Sequence, residues 1–339
     1  MTKSNFVAYP ILLKPIFKEK VWGGRNLEIL LHKNLPKEKR IGESWEVSDR
    51  PGDSCKIKNG TYKGKDLRFL FKYYKKELLG DIKFGRFPLL IKFIDSQDDL
   101  SVQVHPDETY AYKNENGEWG KTECWYVVEA KKDAKIIYGL KGIKNKNEFG
   151  KIIQENKLRR HLNYVPVRKG DFIFMPAGTV HALLKGIVVA EIQQSSDVTY
   201  RLYDWDRKNT DSSRPLHIKY AIDATNLKRK NPKIMNAKSK KSMKLIECKY
   251  FTVKKLFLNT EFILNKNTRF QIYTILSGCA KIQYQNSCGD GSRTAPTKSS
   301  SESIKNVIIK KGDNILIPVV LQKFRIIPNH NVEMLITTL

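Results

Sequence analysis

Residues 99–125 concentrate side chains that can bind a cation or move a proton. Ser101, Gln103 and His105 alternate there with two valines. Residues two apart in a strand point to the same face, so the sequence predicts a hydroxyl, an amide and an imidazole together on one face. The valines on the other face suit burial. Pro106 ends this strand because it has no backbone N–H for the sheet.

A polar loop then leads to a second predicted strand with the same period. Lys121, Glu123 and Trp125 alternate along it, whereas Cys124 points away and is expected in the core. If both strands share an inner face, that face carries an imidazole, a carboxylate, an amide, a hydroxyl and an ammonium. Most of these groups are more stable in water, so their convergence indicates a functional site rather than a core.

The surrounding sequence predicts the elements that position this stretch. Hydrophobic periodicity and Gly or Pro breaks separate strands from helices. The segments predicted as strands are 41–60 (several short ones), 87–96, 165–206 (a string with tight turns) and much of 245–339. The segments predicted as helices are 67–80, which stops at Gly80, 144–162 and 214–226. His161 and His217 fall in predicted helices and are expected at the surface or in packing.

Composition indicates a globular protein with a substantial core. The chain has 339 residues, of which 40% are hydrophobic and 10% aromatic. No apolar run reaches the roughly 18 residues that span a bilayer, and the N-terminal sequence lacks the pattern of a signal peptide. The five cysteines, at 55, 124, 248, 279 and 288, lack CxxC spacing. We therefore expect reduced thiols in a cytoplasmic protein.

The charge of the chain is strongly positive. There are 62 basic and 35 acidic residues, which gives a net charge of +27. Such a charge could serve nucleic-acid binding or could help attract an anionic small molecule. Only 228–244 is a dense basic cluster, and a solvated linker is the simpler interpretation. The polar, low-complexity segment 286–303 is predicted to be a loop between two strands.

The chain contains an internal echo. Residues 170–176, GDFIFMP, return as GDNILIP at 312–318, which predicts two related β domains in tandem. The first copy continues to His181, whereas the second has Lys323 in that place. The first domain is therefore expected to carry the site. The predicted divisions are a catalytic domain over 1–227, a basic linker over 228–244 and a degenerate domain over 245–339.

The pattern Gly170-x5-Pro176-x-Gly178-x2-His181 matches a sequence motif of cupin barrels. Together with LLIKFID, SVQVHPDE, GKTECWYVV, AEIQQSSDVTYRLYDW, VWGG and GESWEVS, it resembles the type I mannose-6-phosphate isomerases of the short bacterial form. The resemblance covers nearly all of the first 225 residues. It implies a mainly β fold of two cupin (jelly-roll) barrels with a few added helices, the C-terminal barrel being degenerate.

The resemblance implies one divalent metal, usually zinc, bound by Gln103, His105, Glu123 and His181. The chemistry of these side chains agrees, because two neutral imidazoles and a carboxylate make a reasonable zinc site with room for water or substrate. A glutamine oxygen is a weak ligand, so manganese, cobalt or iron also remain open. The alternative for His181 is a core histidine, and the alternative for His105 is a turn histidine. The alternative for Glu123 is a surface carboxylate.

The same resemblance places Glu191 and Arg201 in the active site as catalytic residues. Glu191 follows an apolar strand, and burial would raise its pKa and suit it to proton transfer near neutral pH. A buried salt bridge between Glu191 and Arg201 is the alternative. Ser101, Lys121 and Arg207 match positions that contact substrate, although Arg207 could equally be an exposed loop arginine.

The implied reaction interconverts mannose 6-phosphate and fructose 6-phosphate through a cis-enediol. The implied partner is therefore a small sugar phosphate, without membrane or nucleic acid. The residues leave two alternatives open. One is a different metal cupin, either a sugar-phosphate isomerase of other specificity or a dioxygenase. The other is a non-enzymatic basic cupin that binds nucleic acid.

Overall fold

A computed structural model describes residues 5–207, 215–229, 231–238, 241–285 and 304–339. The predicted loop 286–303 lies outside the described residues, as does part of the predicted basic linker. The described residues are mainly β. Among them, every helix is too short or too polar to cross a membrane. The described cysteines, Cys55, Cys124, Cys248 and Cys279, are not joined in disulfides.

The strands are numbered in chain order. Those in the first half of the chain are β1 Ile11–Lys14, β2 Ile16–Gly24, β3 Ile41–Val47, β4 Asp49–Arg50, β5 Asp53–Ser54, β6 Lys56–Ile57, β7 Leu89–Ser96, β8 Val102–Val104, β9 Glu123–Ala130, β10 Lys135–Leu140 and β11 Leu162–Pro166. Those that follow are β12 Asp171–Met175, β13 His181–Leu183, β14 Ile187–Gln194, β15 Tyr200–Tyr203, β16 Ile234–Asn236, β17 Met243–Glu247, β18 Thr252–Leu258, β19 Phe262–Leu264, β20 Gln271–Ser277, β21 Cys279–Tyr284, β22 Lys305–Lys310, β23 Asn314–Ile317, β24 Phe324–Pro328 and β25 Val332–Thr338.

The chain divides into two compact units. The site unit comprises Ile16–Trp45 and Pro88–Ser239, and the second unit comprises Met1–Pro15, Glu46–Phe87 and Lys240–Leu339. These units differ from the contiguous division expected from the sequence. The reason is a long-range pairing: β1, near the N-terminus, adds antiparallel to β23 near the C-terminus. A tandem sequence pattern cannot show that an N-terminal strand joins the C-terminal sheet.

Two antiparallel sheets form the site unit. Their strand orders are β16-β12-β9-β14-β7-β3-β2 and β11-β10-β13-β8-β15. Trp125, Ile173 and Val189 of the first sheet share one hydrophobic core with Ile136 and Leu183 of the second. The sheets therefore pack face to face, and side chains on their inner faces are brought together.

The five-stranded sheet is also covered on its outer side. Val102 and Val104 lie in a second core with Phe149 and Ala221, which belong to helices. This confirms that the valines and the polar residues at the start of 99–125 occupy opposite faces of one strand. The valines are thus buried under helices on the outer face of this sheet, and Gln103 points to the inner face.

Helices begin and end close to, but not always at, the predicted positions. They are α1 Asn26–Leu31, α2 Leu67–Leu79, α3 Glu108–Asn114, α4 Lys146–Gln154 and α5 Ile218–Ala224, with a 3-10 turn at Leu158–His161. Helix α2 stops at Gly80 as predicted, whereas α4 and α5 are shorter than 144–162 and 214–226. The predicted polar loop after Pro106 contains α3, because the Asp107 side chain accepts from Tyr110 N–H at 2.8 Å and caps a helix.

The internal echo is a repeated turn. In the site unit, Asp171 N–H donates to Arg168 O at 3.0 Å, and Arg168 N–H donates back to Asp171 Oδ2 at 2.9 Å. In the second unit, Asp313 and Lys310 make the same two bonds, each 2.9 Å. Each turn starts a strand, β12 or β23. The matching sequences therefore form the same hydrogen-bonded turn.

The second unit also consists of two antiparallel sheets. Their orders are β17-β18-β25-β20-β23-β1-β6 and β19-β24-β21-β22. The rings of Tyr273 and Phe324 meet edge-on across the two sheets, with centroids 6.3 Å apart. Lys323, the counterpart of His181, is exposed. The two-barrel expectation is confirmed, with the histidine-bearing copy in the site unit.

A bend at Gly178 leads the chain into β13. Its backbone has a φ of +83°, and its N–H donates to His105 O at 2.8 Å. A Cβ there would lie 3.1 Å from Ala224 O. The left-handed backbone and the close contact both favour glycine, and the bend brings His181 next to the strand that carries Gln103.

Replacing Gly178 should test the importance of this bend. We expect Gly178→Ala to lower the free energy of unfolding by about 1–2 kcal/mol, because alanine is strained at this φ. Gly85 is a matched control, since a Cβ there meets nothing within 4 Å. Gly85→Ala should change stability by less than about 0.5 kcal/mol. Urea denaturation followed by tryptophan fluorescence measures both, and equal effects would contradict the role of the bend.

Candidate metal centre and catalytic site

Three side chains with metal-binding atoms meet between the sheets of the site unit. His105 Nε2 lies 3.4 Å from Glu123 Oε2, and His181 Nε2 lies 3.3 Å from Glu123 Oε1. The ligand atoms of all three lie within 4.8 Å of one another. Each residue is at most 2% exposed. The alternative of a surface carboxylate at Glu123 is therefore wrong.

Each sheet contributes part of this cluster. His181 begins β13 and lies directly opposite Gln103 of β8 in the five-stranded sheet. Glu123 begins β9 in the seven-stranded sheet. His105 follows β8 and comes to the cluster from the same side as Gln103. The site thus depends on the packing of the two sheets.

The backbone orients both imidazoles. His105 Nδ1 lies 2.9 Å from Val198 O, and His181 Nδ1 lies 2.8 Å from Thr179 O. A carbonyl oxygen can only accept, so each Nδ1 donates a proton and each Nε2 keeps its lone pair. Each Nε2 lies within 3.4 Å of a carboxylate oxygen of Glu123.

Burial keeps these histidines neutral. It lowers the pKa of His181 to about 4. It lowers the pKa of His105 well below its ordinary value, and the nearby ammonium of Lys121 lowers it further. Neutral imidazole is the form that binds a metal ion, so both histidines are ready to bind at neutral pH.

The carboxylate of Glu123 provides the test of whether a metal fits. Both of its oxygens are buried and neither accepts a hydrogen bond among the described residues. Burying such atoms without a hydrogen bond is costly, whereas a divalent cation between them and two imidazole nitrogens would satisfy them. The amide nitrogen of Gln103, Nε2, lies 3.4 Å from His181 Nε2 at the edge of this group. The residues fit a divalent metal.

Lys121 lies against the same cluster. Its Nζ is 2.9 Å from His105 Nε2 and 3.0 Å from Glu123 Oε2. The ammonium offsets the negative charge of the buried carboxylate. Lys121 thus contacts two of the atoms that a divalent cation would use, His105 Nε2 and Glu123 Oε2.

Glu191 lies on the same inner face, one strand further along the sheet. It is directly opposite Trp125 on one side and Lys92 on the other. Trp125 Nε1–H donates to Glu191 Oε2 at 2.9 Å, and Lys92 Nζ lies 3.4 Å from Oε1. Burial raises the pKa of Glu191, and the charge of Glu123 raises it further, while Lys92 opposes both.

Sequence reasoning missed Lys92 and Glu43. Lys92 Nζ lies 3.8 Å from Glu43 Oε2, and Lys20 Nζ lies 3.5 Å from Glu43 Oε1. Burial pushes the pKa of Glu43 upward, but Lys92 and Lys20 bring it down to about 2. Burial lowers the pKa of Lys92, yet Glu43 and Glu191 more than offset it, so its pKa is raised.

Lys20, Glu43, Lys92 and Glu191 thus form a line of alternating charges, which we call the charge line. The side chain of Lys20, at one end, is 34% exposed, and that of Glu191, at the other end, is 4% exposed. A signal for it was present in the sequence. A single lysine interrupts the apolar run LLIKFID, and a glutamate alternates with tryptophan in GESWEV.

Arg201 approaches the site from β15. It lies opposite Gln103, and its Nε–H donates to Ser101 Oγ at 3.0 Å. The partners described for Glu191 are Trp125 and Lys92, so the structure does not support the alternative of a Glu191–Arg201 salt bridge.

Arg207 lies beside Asp99, at the beginning of residues 99–125. Its Nη2 donates to Asp99 O, and its Nη1 lies 3.8 Å from Asp204 Oδ1. Its side chain is 23% exposed, so it is neither buried nor a freely solvated loop arginine. The structure ties it to the backbone that leads into Ser101.

Comparison with known proteins agrees with this geometry. Residues 11–128 match a family model described as phosphomannose isomerase type I, catalytic domain. The chain is 37% identical over 322 residues to a mannose-6-phosphate isomerase of Bacillus subtilis, covering 94% of this chain and 95% of that protein. The chain belongs to the type I phosphomannose isomerase family.

Further comparisons support the same assignment. A mannose-6-phosphate isomerase of Streptococcus mutans is 35% identical over 316 residues, covering 92% of this chain and 93% of that protein. A crystal structure of the mannose 6-phosphate isomerase from Bacillus subtilis superimposes with a TM-score of 0.83 at 34% identity, covering 97% of this chain and 99% of that one. The family confirms the resemblance seen in the sequence and does not favour a dioxygenase or a nucleic-acid-binding cupin.

Metal content should depend on Glu123. We expect Glu123→Gln to lower the metal bound per chain by about tenfold or more, because the amide lacks the negative charge that two buried imidazoles cannot supply. Glu129→Gln is the control, since Glu129 lies on the same strand with a side chain that is 39% exposed. Elemental analysis after dialysis measures both proteins. Equal metal content in the two variants would contradict the predicted site.

Proposed function

We propose that the chain interconverts D-mannose 6-phosphate and D-fructose 6-phosphate through a cis-enediol. The observation that carries the proposal is the buried group of His105, Glu123 and His181 beside Glu191, a carboxyl of raised pKa. Family membership supports the same reaction, since relatives covering most of the chain bear the name of that enzyme.

The reaction requires a proton to leave C2 of the aldose and return to C1. Glu191 is proposed as the group that accepts and returns this proton. A carboxyl of raised pKa exists in both forms closer to neutral pH, which suits a group that must both take and give a proton. The indole N–H of Trp125 fixes one of its oxygens, so the carboxyl is held in one orientation.

Cations near the site are proposed to hold the anionic parts of the substrate. Arg201 would stabilise negative charge on the enediolate oxygens or bind phosphate, since a guanidinium matches planar anionic groups. Ser101 and Lys121 would contact the substrate beside it. Arg207 is proposed as a weaker phosphate contact, because its guanidinium is already committed to Asp99 and Asp204.

The proposed metal ligands are Gln103, His105, Glu123 and His181, and zinc is the proposed ion. Two nitrogen donors and a carboxylate suit zinc, while manganese, cobalt or iron would fit the oxygen of Gln103 as well. When bound, the ion would polarise the carbonyl or hold the sugar hydroxyls. The cysteine spacing, which lacks CxxC pairs, supports a cytoplasmic location, where thiols stay reduced.

A coupled assay with purified protein tests the function. We expect turnover of mannose 6-phosphate and of fructose 6-phosphate in the reverse direction, with little turnover of glucose 6-phosphate and no uptake of oxygen. Chelation should abolish the activity, and added zinc should restore it, because the ion is proposed to polarise the substrate carbonyl or hold its hydroxyls. Full activity after complete removal of metal would overturn the metal-dependent mechanism, and preference for glucose 6-phosphate would overturn the assigned substrate.

The pH profile should identify the base. Activity that needs ionised Glu191 falls as pH drops through its pKa, and Lys92 keeps that pKa from rising further. Lys92→Met should therefore move the acid limb of kcat to higher pH, whereas Glu191→Gln should lower kcat by about 10²–10⁴-fold at every pH. Metal content is measured in each protein as a control. An acid limb that stays in place, or moves to lower pH, in Lys92→Met would remove Glu191 from this role.

A further inference from the structure

Residues 215–217 hold Arg201 through three hydrogen bonds. His217 N–H donates to Arg201 O at 2.8 Å, and Arg201 N–H donates to His217 Nδ1 at 3.3 Å. Arg201 Nη1–H also donates to Pro215 O at 2.9 Å. One short segment thus binds both the backbone and the guanidinium of the same arginine.

The second of these bonds fixes the chemical form of His217. Because Arg201 N–H is a donor, His217 Nδ1 must be the unprotonated nitrogen of a neutral imidazole. Partial burial lowers the pKa of His217, and the charge of Arg201 lowers it further, while Glu115 opposes them. The ring also packs against Tyr200, with centroids 6.3 Å apart.

The position of His217 in its helix makes this contact informative. His217 is the residue before α5, the place where a side chain ordinarily accepts from the first turn of the helix. Its side chain makes no such capping bond. The imidazole accepts from Arg201 N–H in β15 instead. Helix α5 therefore has no side-chain cap, and the backbone of Arg201 is held in place.

The guanidinium that is held in this way belongs to the inner face of the site unit. Arg201 is the cross-strand partner of Gln103, which in turn is the partner of His181. Directly opposed residues of a sheet share a face. Ser101 Oγ and Pro215 O anchor Nε and Nη1 of Arg201, which sets the direction of the whole planar group.

We propose that His217 is a positioning residue that fixes Arg201, through its Nδ1 and backbone N–H, where the anionic oxygens of the substrate are bound. The proposal rests on the proposed function of the site. His217 contacts Arg201 and is proposed to act through it. The sequence had suggested only a surface or packing role, because the contact joins two elements that are sixteen residues apart in the chain.

Three substitutions separate the acceptor from the volume of the ring. Asparagine places an oxygen at about the position of Nδ1, glutamine places its amide one bond further away, and leucine fills the space without an acceptor. We expect His217→Leu and His217→Gln to lower kcat/KM for mannose 6-phosphate by about 10- to 100-fold, since small misplacements of a catalytic group have effects of this size. His217→Asn should recover most of the loss, and His330→Leu, at an exposed histidine, should match the wild type.

Melting temperature and metal content are measured on the same proteins. We expect the metal content to stay at the wild-type level. Asparagine also caps a helix and would stabilise α5 whether or not it accepts from Arg201. We therefore expect kcat/KM not to follow the melting temperature across the variants. Wild-type kinetics in His217→Leu, or an equal loss in His217→Asn and His217→Leu, would overturn the proposal. A loss that follows the melting temperature across the variants would also overturn it.

A second measurement separates this proposal from the proposed function. In protein labelled with ¹⁵N-arginine, the Nε–H of Arg201 should exchange slowly with solvent in the wild type and in His217→Asn, and faster in His217→Leu. The resonance is assigned with Arg201→Lys. This readout does not require isomerase activity, so an inactive wild type would overturn the function alone. Equal exchange in the wild type and His217→Leu would overturn the positioning role alone.

Discussion

The buried carboxylate of Glu123 is the constraint on which the site depends. It is wholly removed from water and its oxygens accept no hydrogen bond among the described residues. An isolated charge in that position is very unfavourable, so the surrounding residues must compensate it. Two neutral imidazoles and the ammonium of Lys121 surround it, and the imidazole nitrogens with the carboxylate form a set of donors that suits a divalent cation. Backbone carbonyls at Thr179 and Val198 keep the imidazole lone pairs pointing inward.

The same constraint extends along the sheet. Glu191 would ionise with difficulty so close to Glu123, and the charge line supplies the opposing charge through Lys92. Lys92 in turn remains protonated because Glu43 lies on its other side. Alternating charges therefore allow several ionisable groups to share a low-dielectric interior. The arrangement keeps one of them, Glu191, with a raised pKa, which is the property a proton-transfer group requires.

The two units show how a shared fold separates from a shared function. Both begin a strand with the same reciprocal pair of hydrogen bonds, between Asp171 and Arg168 in one and between Asp313 and Lys310 in the other. This turn depends on a few neighbouring residues, and it is present in both units. The histidine depends on distant partners in the other sheet, and its counterpart in the second unit is an exposed lysine. The fold is retained without the chemistry because backbone geometry does not require a metal ligand.

The sequence by itself determined the β architecture, the inward face of Gln103 and the outward face of its valine neighbours, and the residues that match the family's ligands. These follow from period-2 alternation, turn letters and a motif, all of which are local. Only the tertiary structure decided the charge line, the contact between His217 and Arg201, and the joining of β1 to the C-terminal sheet. Each of these joins residues from separate elements whose registers and packing no local pattern specifies. A buried lysine in an apolar strand signals a partner, but the identity of that partner is set by which strand folds beside it.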